Sequence, residues 1–188
     1  RGHQILVTTD FSLETIHFCR DWPPPESVGH RCLARGLSDL AAMGAQPLAA
    51  FLSLALPPEL VRSRSSHLSW RDRFLTGFLA LADKYRVPLA GGDTAQSPLT
   101  CLKSEKNASS TRSPVTGLAL ADIVLVGSVP RNRALLRSGA KAGDRIYVTG
   151  HLGGAAAELA QLKATPHRFR NCGTTGITDP NPHPHLFP

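Results

Sequence analysis

The feature that most restricts the fold is an alternation of short apolar segments with longer segments of helical period. Gln4–Asp10 is predicted to be a buried strand, and Leu48–Leu56 is a second apolar run of strand length. Apolar residues recur at helical spacing between them, over residues 27–44, and again from Trp70 to Tyr85. Such an alternation predicts an α/β or α+β domain.

Local signals mark the ends of both helices. Ser27 is a candidate N-cap of the first helix, and Gly44 supplies its stop. Gly36 lies inside this helix, where glycine costs about 1 kcal/mol relative to alanine, so we expect another element to approach closely there. Ser69 and Asp72 form a capping-box pattern at the start of the second helix.

The rest of the chain contains further strands, one more helix and two polar stretches. Strands are predicted over Val87–Ala90, Ala119–Val126 and Arg145–Val148. Residues 99–117 are polar in the middle and predict an inserted surface loop. An Ala-rich helix is predicted to end near Leu162, and the Pro- and Gly-rich chain from residue 165 onward predicts a linker.

The charge and cysteine pattern exclude several classes of protein. Lys and Arg number 21 against 14 Asp and Glu, giving a net charge of +7, which suits nucleotides and phosphorylated metabolites. No basic run is interleaved with aromatic residues, so nucleic acid is not an expected partner. No apolar run reaches the length of a membrane span. The four cysteines are widely spaced, which indicates reduced thiols and a cytoplasmic protein.

Three carboxylates at the predicted ends or polar positions of elements are candidate cation ligands. Asp10 follows Thr8 and Thr9 at the end of the first strand, and Asp39 interrupts an apolar helix face. Asp93 follows two glycines, which are expected to form a turn close to a ligand. Hard oxygen ligands of this kind suit Mg²⁺ bound to phosphate. Ordinary caps and turns produce the same pattern, so the residues alone do not decide between a cation site and a purely structural role for these carboxylates.

Common nucleotide and hydrolase motifs are absent from the sequence. No Gly-x-x-x-x-Gly-Lys-Ser/Thr loop occurs, and no protein-kinase motif set. A serine hydrolase is not supported either, since no Gly-x-Ser-x-Gly elbow is present. If this chain performs phosphate chemistry, we therefore expect a fold other than that of the P-loop NTPases or the protein kinases.

Several sequence blocks resemble thiamine-monophosphate kinase, a family of the aminoimidazole-ribonucleotide-synthetase-like superfamily. In chain order they are Thr8-Thr9-Asp10 with Glu14 and Ile16-His17-Phe18, then Leu37–Ala45, Gly91–Thr94, Gly127–Pro130, Arg133–Ala140 and Gly143–Gly150. The resemblance implies ATP-dependent, Mg²⁺-assisted phosphorylation of thiamine monophosphate to thiamine diphosphate. It also implies a PurM-like N-terminal domain, with a mixed sheet, helices on one face, and a barrel completed by a homodimer.

Matching the blocks residue by residue assigns roles to eight positions of this chain. The implied metal ligands are Thr8, Thr9, Asp10, Asp39 and Asp93. The implied ATP-facing residues are Gly92, Asp93 and Arg137, and His17 is the implied contact to thiamine phosphate.

The chain also departs from the family pattern. The family's upstream Gly-Asp-Asp segment and its second domain have no counterpart here, so the resemblance predicts an N-terminal domain truncated at both ends. Residues 1–164 are expected to form the ATP- and Mg²⁺-binding domain, with residues 165–188 as a linker. Gly36 stands where the family has asparagine. The chain by itself is expected to be inactive.

Two other functions remain open at this level. One is a sister enzyme of the superfamily, of the selenophosphate-forming or hydrogenase-maturation type. The other is a dimerising fragment without activity, which binds Mg²⁺-nucleotide weakly or not at all.

Overall fold

A four-stranded mixed sheet carries the fold of this chain. The computed structural model describes residues 2–62, 68–100, 116–148 and 152–164. Its elements, in order, are β1 (His3–Leu13), α1 (Pro25–Ala42), β2 (Gln46–Leu56), α2 (Pro58–Val61), α3 (Trp70–Tyr85), β3 (Leu89–Gln96), β4 (Leu99–Thr100), β5 (Thr116–Gly117), β6 (Leu120–Pro130) and α4 (Gly154–Ala164).

The strand order in the main sheet is β1-β6-β2-β3. β6 runs antiparallel to both of its neighbours. Ile123 of β6 pairs with Asp10 of β1 on one side and with Leu52 of β2 on the other. β3 runs parallel to β2, and the long connection between them contains α3, as parallel neighbours require. The mixed sheet confirms the fold class expected from the sequence.

Helices α1 and α3 cover one face of the sheet and form the core with it. The helical spacing of apolar residues on α1 and α3 directs one stripe of each helix inward. Fully buried members of this core are Cys32, Leu33, Leu56, Phe74, Phe78, Ile123 and Leu125. The capping box at the start of α3 is confirmed, because Ser69 and Asp72 exchange both hydrogen bonds.

The opposite face of the sheet is apolar and open. We call it the outer face; its exposed apolar side chains are Ile5, Val7, Phe11, Leu48 and Phe51. The prediction of a buried first strand is therefore wrong for half of its residues. Side chains alternate along β1, and the described helices cover only the face that Leu6 and Ser12 occupy.

The prediction that Ser27 caps the first helix is wrong. The helix begins at Pro25, with Pro24 as the N-cap residue. Proline suits the first helical position, since its fixed φ is already helical and its missing N–H would have no partner. Gly44, in contrast, ends α1 as expected, with a φ of 71°.

The prediction of a strand over Arg145–Val148 is also wrong. The structure has no strand there, and the Ile146 side chain is 96% exposed. An apolar strand forms when another strand offers hydrogen bonds, and no described strand lies beside this segment. The middle of the polar insertion, residues 101–115, and the predicted linker lie outside the described residues, while β4 and β5 pair at the insertion's base.

Gly36 does mark a close approach, as expected. A Cβ atom built at this position would lie 2.2 Å from Cδ1 of Leu125 on β6. Helix α1 therefore lies directly on the central strand. None of the helices within the described ranges is both long and apolar enough to cross a membrane.

A nearly buried carboxylate ties the end of β1 to the start of β6. Glu14 is 8% exposed and accepts hydrogen bonds from Nε of Arg20 at 2.8 Å and from the backbone N–H of Ala119 at 2.7 Å. Arg20 also donates to the carbonyl of Gly117 at 2.8 Å. The Glu14–Arg20 pair therefore links the chain just after β1 to the chain between β5 and β6.

Replacing Glu14 with glutamine is expected to lower the free energy of unfolding by about 2 kcal/mol, because hydrogen bonds to a charged group are lost. Urea denaturation followed by circular dichroism measures the loss. Glu59→Gln is the matched control, since Glu59 is exposed and lies 3.8 Å from the same arginine; it should cost less than about 0.5 kcal/mol. Equal losses in the two variants would contradict a structural role for Glu14.

Candidate functional site

Three of the predicted ligands lie on the side of the sheet that α1 covers: Thr8 and Asp10 on β1, and Asp39 on α1. We call Thr8, Asp10 and Asp39 the helix-side group. The hydroxyl of Thr8 donates to Oδ2 of Asp39 at 2.5 Å. Oδ1 of Asp10 lies 2.5 Å from Nη2 of Arg35, and the two residues form an ion pair. Alternation along β1 and the position of Asp39 near the end of α1 bring these side chains to one side of the sheet.

A cleft beside α1 gives solvent access to the helix-side group. Its volume is about 760 Å³, and Asp10, Arg35, Ser38 and Asp39 are among its lining residues. The cleft presents two carboxylates, one guanidinium and the ammonium of Lys84 within the same space. It can therefore receive either a cation on the carboxylates or an anion on the arginine.

The other two predicted ligands, Thr9 and Asp93, are exposed on the outer face. The hydroxyl of Thr9 donates to Oδ1 of Asp122 at 3.1 Å. Asp93 pairs in register with Ser53, and Ser53 pairs with Asp122. Residues paired in this way share a face of the sheet. We call Thr9, Asp93 and Asp122 the open-face group.

The five predicted ligands do not meet at one point. The helix-side and open-face groups lie on opposite faces, and Asp93 is two strands from Asp122, or about 10 Å at the backbone. No group of three or more His, Cys, Asp or Glu side chains within the described ranges could hold a metal ion. Both groups offer hydroxyl and carboxylate oxygens, which is the donor chemistry that Mg²⁺ prefers.

Asp122 and Arg35 are two neighbours of these groups that the sequence patterns did not single out. Asp122 interrupts an otherwise apolar strand at an outward-facing position, and this polar residue within an alternating pattern was a usable signal. Arg35 precedes Asp39 by one helical turn, but its pairing with Asp10 depends on how α1 lies across β1. Spacing along the sequence could not reveal that contact.

Gly91, Gly92 and Asp93 lie within β3 rather than in a turn, which corrects the prediction of a turn there. Gly92 has a φ of 151°, and a Cβ atom at this position would lie 1.8 Å from the carbonyl oxygen of Leu52 on β2. Only glycine allows β3 to approach β2 so closely. The glycines thus serve strand pairing, and they leave Asp93 exposed at the edge of the sheet.

His17 lies close to the helix-side group. Its Nδ1 accepts a hydrogen bond from the backbone N–H of Leu13 at 3.0 Å. Burial lowers the pKa of His17, and the positive charges of Arg35 and Arg31 lower it further, while Asp10 acts in the opposite direction. The imidazole is therefore favoured in its neutral form with the proton on Nε2, which is free of the Leu13 contact and can donate.

Arg137 lies in the segment that follows β6. It begins a short 3₁₀ turn, Arg137–Gly139, and its side chain is exposed. The structure brings together Thr8, Asp10, Asp39 and His17 at one end of the sheet. In the described part of the chain, Arg137 makes no hydrogen bond or ion pair with any of these four residues.

The buried thiol of Cys32 is unreactive. Cys19 and Cys32 are both free, and burial raises the pKa of Cys32 to about 12. A thiol of this pKa stays protonated near neutral pH and behaves as a small apolar side chain. The other two cysteines of the sequence, Cys101 and Cys172, lie outside the described residues.

Comparison with protein-family models identifies the domain. Residues 1–111 match the model for "AIR synthase related protein, N-terminal domain", which is more than half of the chain. The chain belongs to this family. Membership in the AIR synthase related family agrees with the resemblance drawn from the sequence blocks.

Similar proteins carry the name thiamine-monophosphate kinase. The protein of that name from Buchnera aphidicola is 36% identical over 163 residues, which cover 87% of this chain and 42% of the relative. The crystal structure of thiamine-monophosphate kinase from Stenotrophomonas maltophilia matches with a TM-score of 0.66 at 33% identity, covering 88% of this chain and 43% of that one. A structure of AaThiL complexed with AMPPCP and TMP matches with a TM-score of 0.67 at 28% identity, covering 86% and 43%.

These matches also show how much of each relative is represented. The chain spans about two fifths of the length of the curated relatives it matches. Its strand order and helix placement therefore correspond to one part of a longer protein in each relative.

Proposed function

We propose that this chain supplies the ATP- and cation-binding part of a thiamine-monophosphate kinase, which phosphorylates thiamine monophosphate to thiamine diphosphate in the cytoplasm. The observation that carries the proposal is the 36% identity with a protein of that name over 163 residues, or 87% of this chain. The match to a structure that contains AMPPCP, an ATP analogue, supports ATP as the phosphoryl donor.

The proposed cation ligands are those of the two groups defined above. Thr8, Asp10 and Asp39 would hold Mg²⁺ on the helix side. Thr9 and Asp93 would bind separate Mg²⁺ ions on the outer face, because three strand spacings lie between them. Their hard oxygen donors support this assignment. When bound, Mg²⁺ neutralises charge on the transferring phosphoryl group. Gly92, Asp93 and Arg137 would face ATP, with the edge position of Asp93 in support.

His17 is the proposed contact to the phosphate of thiamine monophosphate. Its Nδ1 is occupied by the Leu13 amide, so Nε2–H is the group that would donate to a phosphate oxygen. Arg31 and Arg35 place positive charge near the imidazole, and such charge favours an anionic ligand. Binding and orientation of the substrate is therefore the proposed role of this residue.

The proposed domain organisation follows from the same similarity to thiamine-monophosphate kinases. Residues 1–164 would form the domain, with the polar insertion over about residues 99–117, and residues 165–188 would lead to a second domain. Ile146, Tyr147 and Val148 are exposed. Apolar side chains in such a run are usually covered by another part of a protein, so their exposure supports a further domain that packs against this segment. The second domain would supply that cover.

A homodimer is part of the proposal, and a second copy of the chain is the proposed cover for the outer face. Val7 is 64% exposed and Phe11 is 56% exposed, and β1 and β3 are at the two edges of the sheet. Pairing two sheets would bury these side chains and could close the edges into a barrel.

Val7→Lys is expected to weaken such a dimer by roughly 100-fold, because each dimer would bury two unpaired ammonium groups. Size-exclusion chromatography with light scattering over a concentration series measures the dissociation constant. Leu79→Lys is the control, since Leu79 is an exposed apolar residue on α3, away from the outer face. A natural chain that stays monomeric, or a Val7→Lys variant that stays dimeric, would contradict the proposed interface.

Substrate profiling tests the proposed activity. The protein, expressed as its gene encodes it, is incubated with ATP, Mg²⁺ and thiamine monophosphate, and thiamine diphosphate is measured by chromatography. We expect diphosphate formation that requires Mg²⁺, and none from the 188-residue chain alone. Consumption of selenide with ATP, and none of thiamine monophosphate, would instead favour the selenophosphate-forming alternative. Diphosphate formation by the 188-residue chain would overturn its expected inactivity.

A further inference from the structure

The carboxylate of Asp10 already has a cationic partner from the chain itself. Nη2 of Arg35 lies 2.5 Å from Oδ1 of Asp10. Nη1 of the same guanidinium donates to the carbonyl oxygen of Phe11 at 2.5 Å. Two bonds of this kind fix the orientation of the planar guanidinium. The arginine therefore occupies one of the two carboxylate oxygens that Asp10 offers to a cation.

The other carboxylate of the helix-side group has a different kind of partner. Asp39 accepts from the neutral hydroxyl of Thr8 at 2.5 Å. A hydroxyl can turn its lone pair toward a cation and remain a ligand, because it is both donor and acceptor. A guanidinium has no lone pair to offer and repels a second cation. The two carboxylates thus differ in what a divalent cation must displace.

We propose that Arg35 is a resident counter-cation that competes with divalent cations for Asp10 and so sets the cation affinity of the helix-side group. A divalent cation that takes Oδ1 of Asp10 must first displace the guanidinium. The side chain of Arg35 is 33% exposed and that of Asp10 is 24% exposed, so the arginine can leave into the adjoining cleft. This inference rests on the proposed function, which makes Asp10 a cation ligand.

Removing the competitor should tighten cation binding. Mn²⁺, read by electron paramagnetic resonance, is the probe, and binding is measured on the 188-residue chain without nucleotide. Arg35→Met keeps the apolar stem and removes the charge. We expect Mn²⁺ to bind roughly tenfold more tightly to this variant, which corresponds to about 1.4 kcal/mol. Circular dichroism and thermal melting check that the variant is folded.

Arg133→Met is the matched control for net charge. Arg133 is exposed and follows β6 near Pro130, which pairs with His3, whereas Asp10 pairs with Ile123. Seven residues along a strand separate the two positions by about 23 Å. The control variant should bind Mn²⁺ as the natural chain does. A control that tightens binding as much as Arg35→Met would overturn the inference in favour of a general charge effect.

Asp10→Asn separates failure of this inference from failure of the proposed function. We expect it to weaken Mn²⁺ binding and to abolish the effect of Arg35→Met when the two are combined. If Asp10→Asn weakens binding but Arg35→Met leaves the affinity within twofold or lowers it, the competitor role is wrong and Asp10 remains a ligand. If Asp10→Asn has no effect, or if no variant binds Mn²⁺, both the competitor role and the assignment of Asp10 are wrong.

Discussion

Replacing Gly77 with alanine is expected to lower the free energy of unfolding by about 3 kcal/mol, at the upper end of the usual cost of overpacking. A Cβ atom at Gly77 would lie 1.9 Å from the carbonyl oxygen of Glu26. The contact is reciprocal, since a Cβ atom at Gly29 would lie 1.9 Å from the carbonyl oxygen of Phe74. Helices α1 and α3 therefore cross with their backbones in contact.

The size of the effect follows from what would have to move. The atom in the way at Gly77 belongs to the backbone of α1, so a change of rotamer cannot relieve the overlap. The helices must separate, which loosens Phe74 and Phe78 in the core and stretches the ion pair between Arg73 and Glu26, now 2.7 Å. Close-packed interiors tolerate such a shift poorly.

Urea denaturation followed by far-ultraviolet circular dichroism measures the stability of the Gly77→Ala variant. Gly139→Ala is the matched control, because a Cβ atom at Gly139 would have nothing within 4 Å. The control should change the free energy of unfolding by less than about 0.5 kcal/mol. Equal stabilities of the two variants would show that the helices do not cross as closely as described.

Where local chemistry and packing agree, the sequence predicted the structure well. Helix α3 combines a capping box at Ser69 with apolar residues at helical spacing, and both signals act within the segment itself. Its last aromatic residue was less predictable. Tyr85 fits the helical spacing, yet it is 51% exposed and lines the cleft beside α1.

The errors arose where a distant element decides the local structure. Gly91 and Gly92 are residues typical of a turn, but they lie in a strand because they pair with Phe51 and Leu52 of β2. Arg145–Val148 has a sequence of high strand propensity, but no described strand lies beside it to pair with. Strand propensity reflects a fit to neighbours more than a property of the residues, so a single segment could not distinguish these two cases.

The candidate site was predictable as a set of residues but not as an arrangement. Asp10 and Asp39 were identified from motifs, and the fold brings both to the helix side of β1. Asp93 was identified in the same way and lies on the other face. The face of each residue depends on strand register, and a shift of one position reverses it. Motif spacing contains no such information.

Replacing Asp93 with asparagine is expected to lower kcat/KM for thiamine monophosphate by at least about 100-fold, or about 2.7 kcal/mol of transition-state stabilisation. The physical reason is the loss of a negative charge at a proposed ligand of Mg²⁺, while the shape of the side chain is kept. Oδ1 of Asp93 accepts from the backbone N–H of Thr94 at 2.8 Å. An amide oxygen can accept the same bond, so strand β3 should remain intact.

The measurement is the steady-state rate of thiamine diphosphate formation by the protein as its gene encodes it, over a range of Mg²⁺ concentrations. Asp83→Asn is the matched control, since Asp83 is an exposed carboxylate on α3 and carries the same change of charge. The control should keep its rate, and both variants should keep their circular dichroism spectra. Because Asp93 lies on the outer face while Asp10 and Asp39 lie on the other, a rate for Asp93→Asn close to the control would exclude the outer face from phosphoryl transfer and leave only the helix-side group as candidate cation ligands.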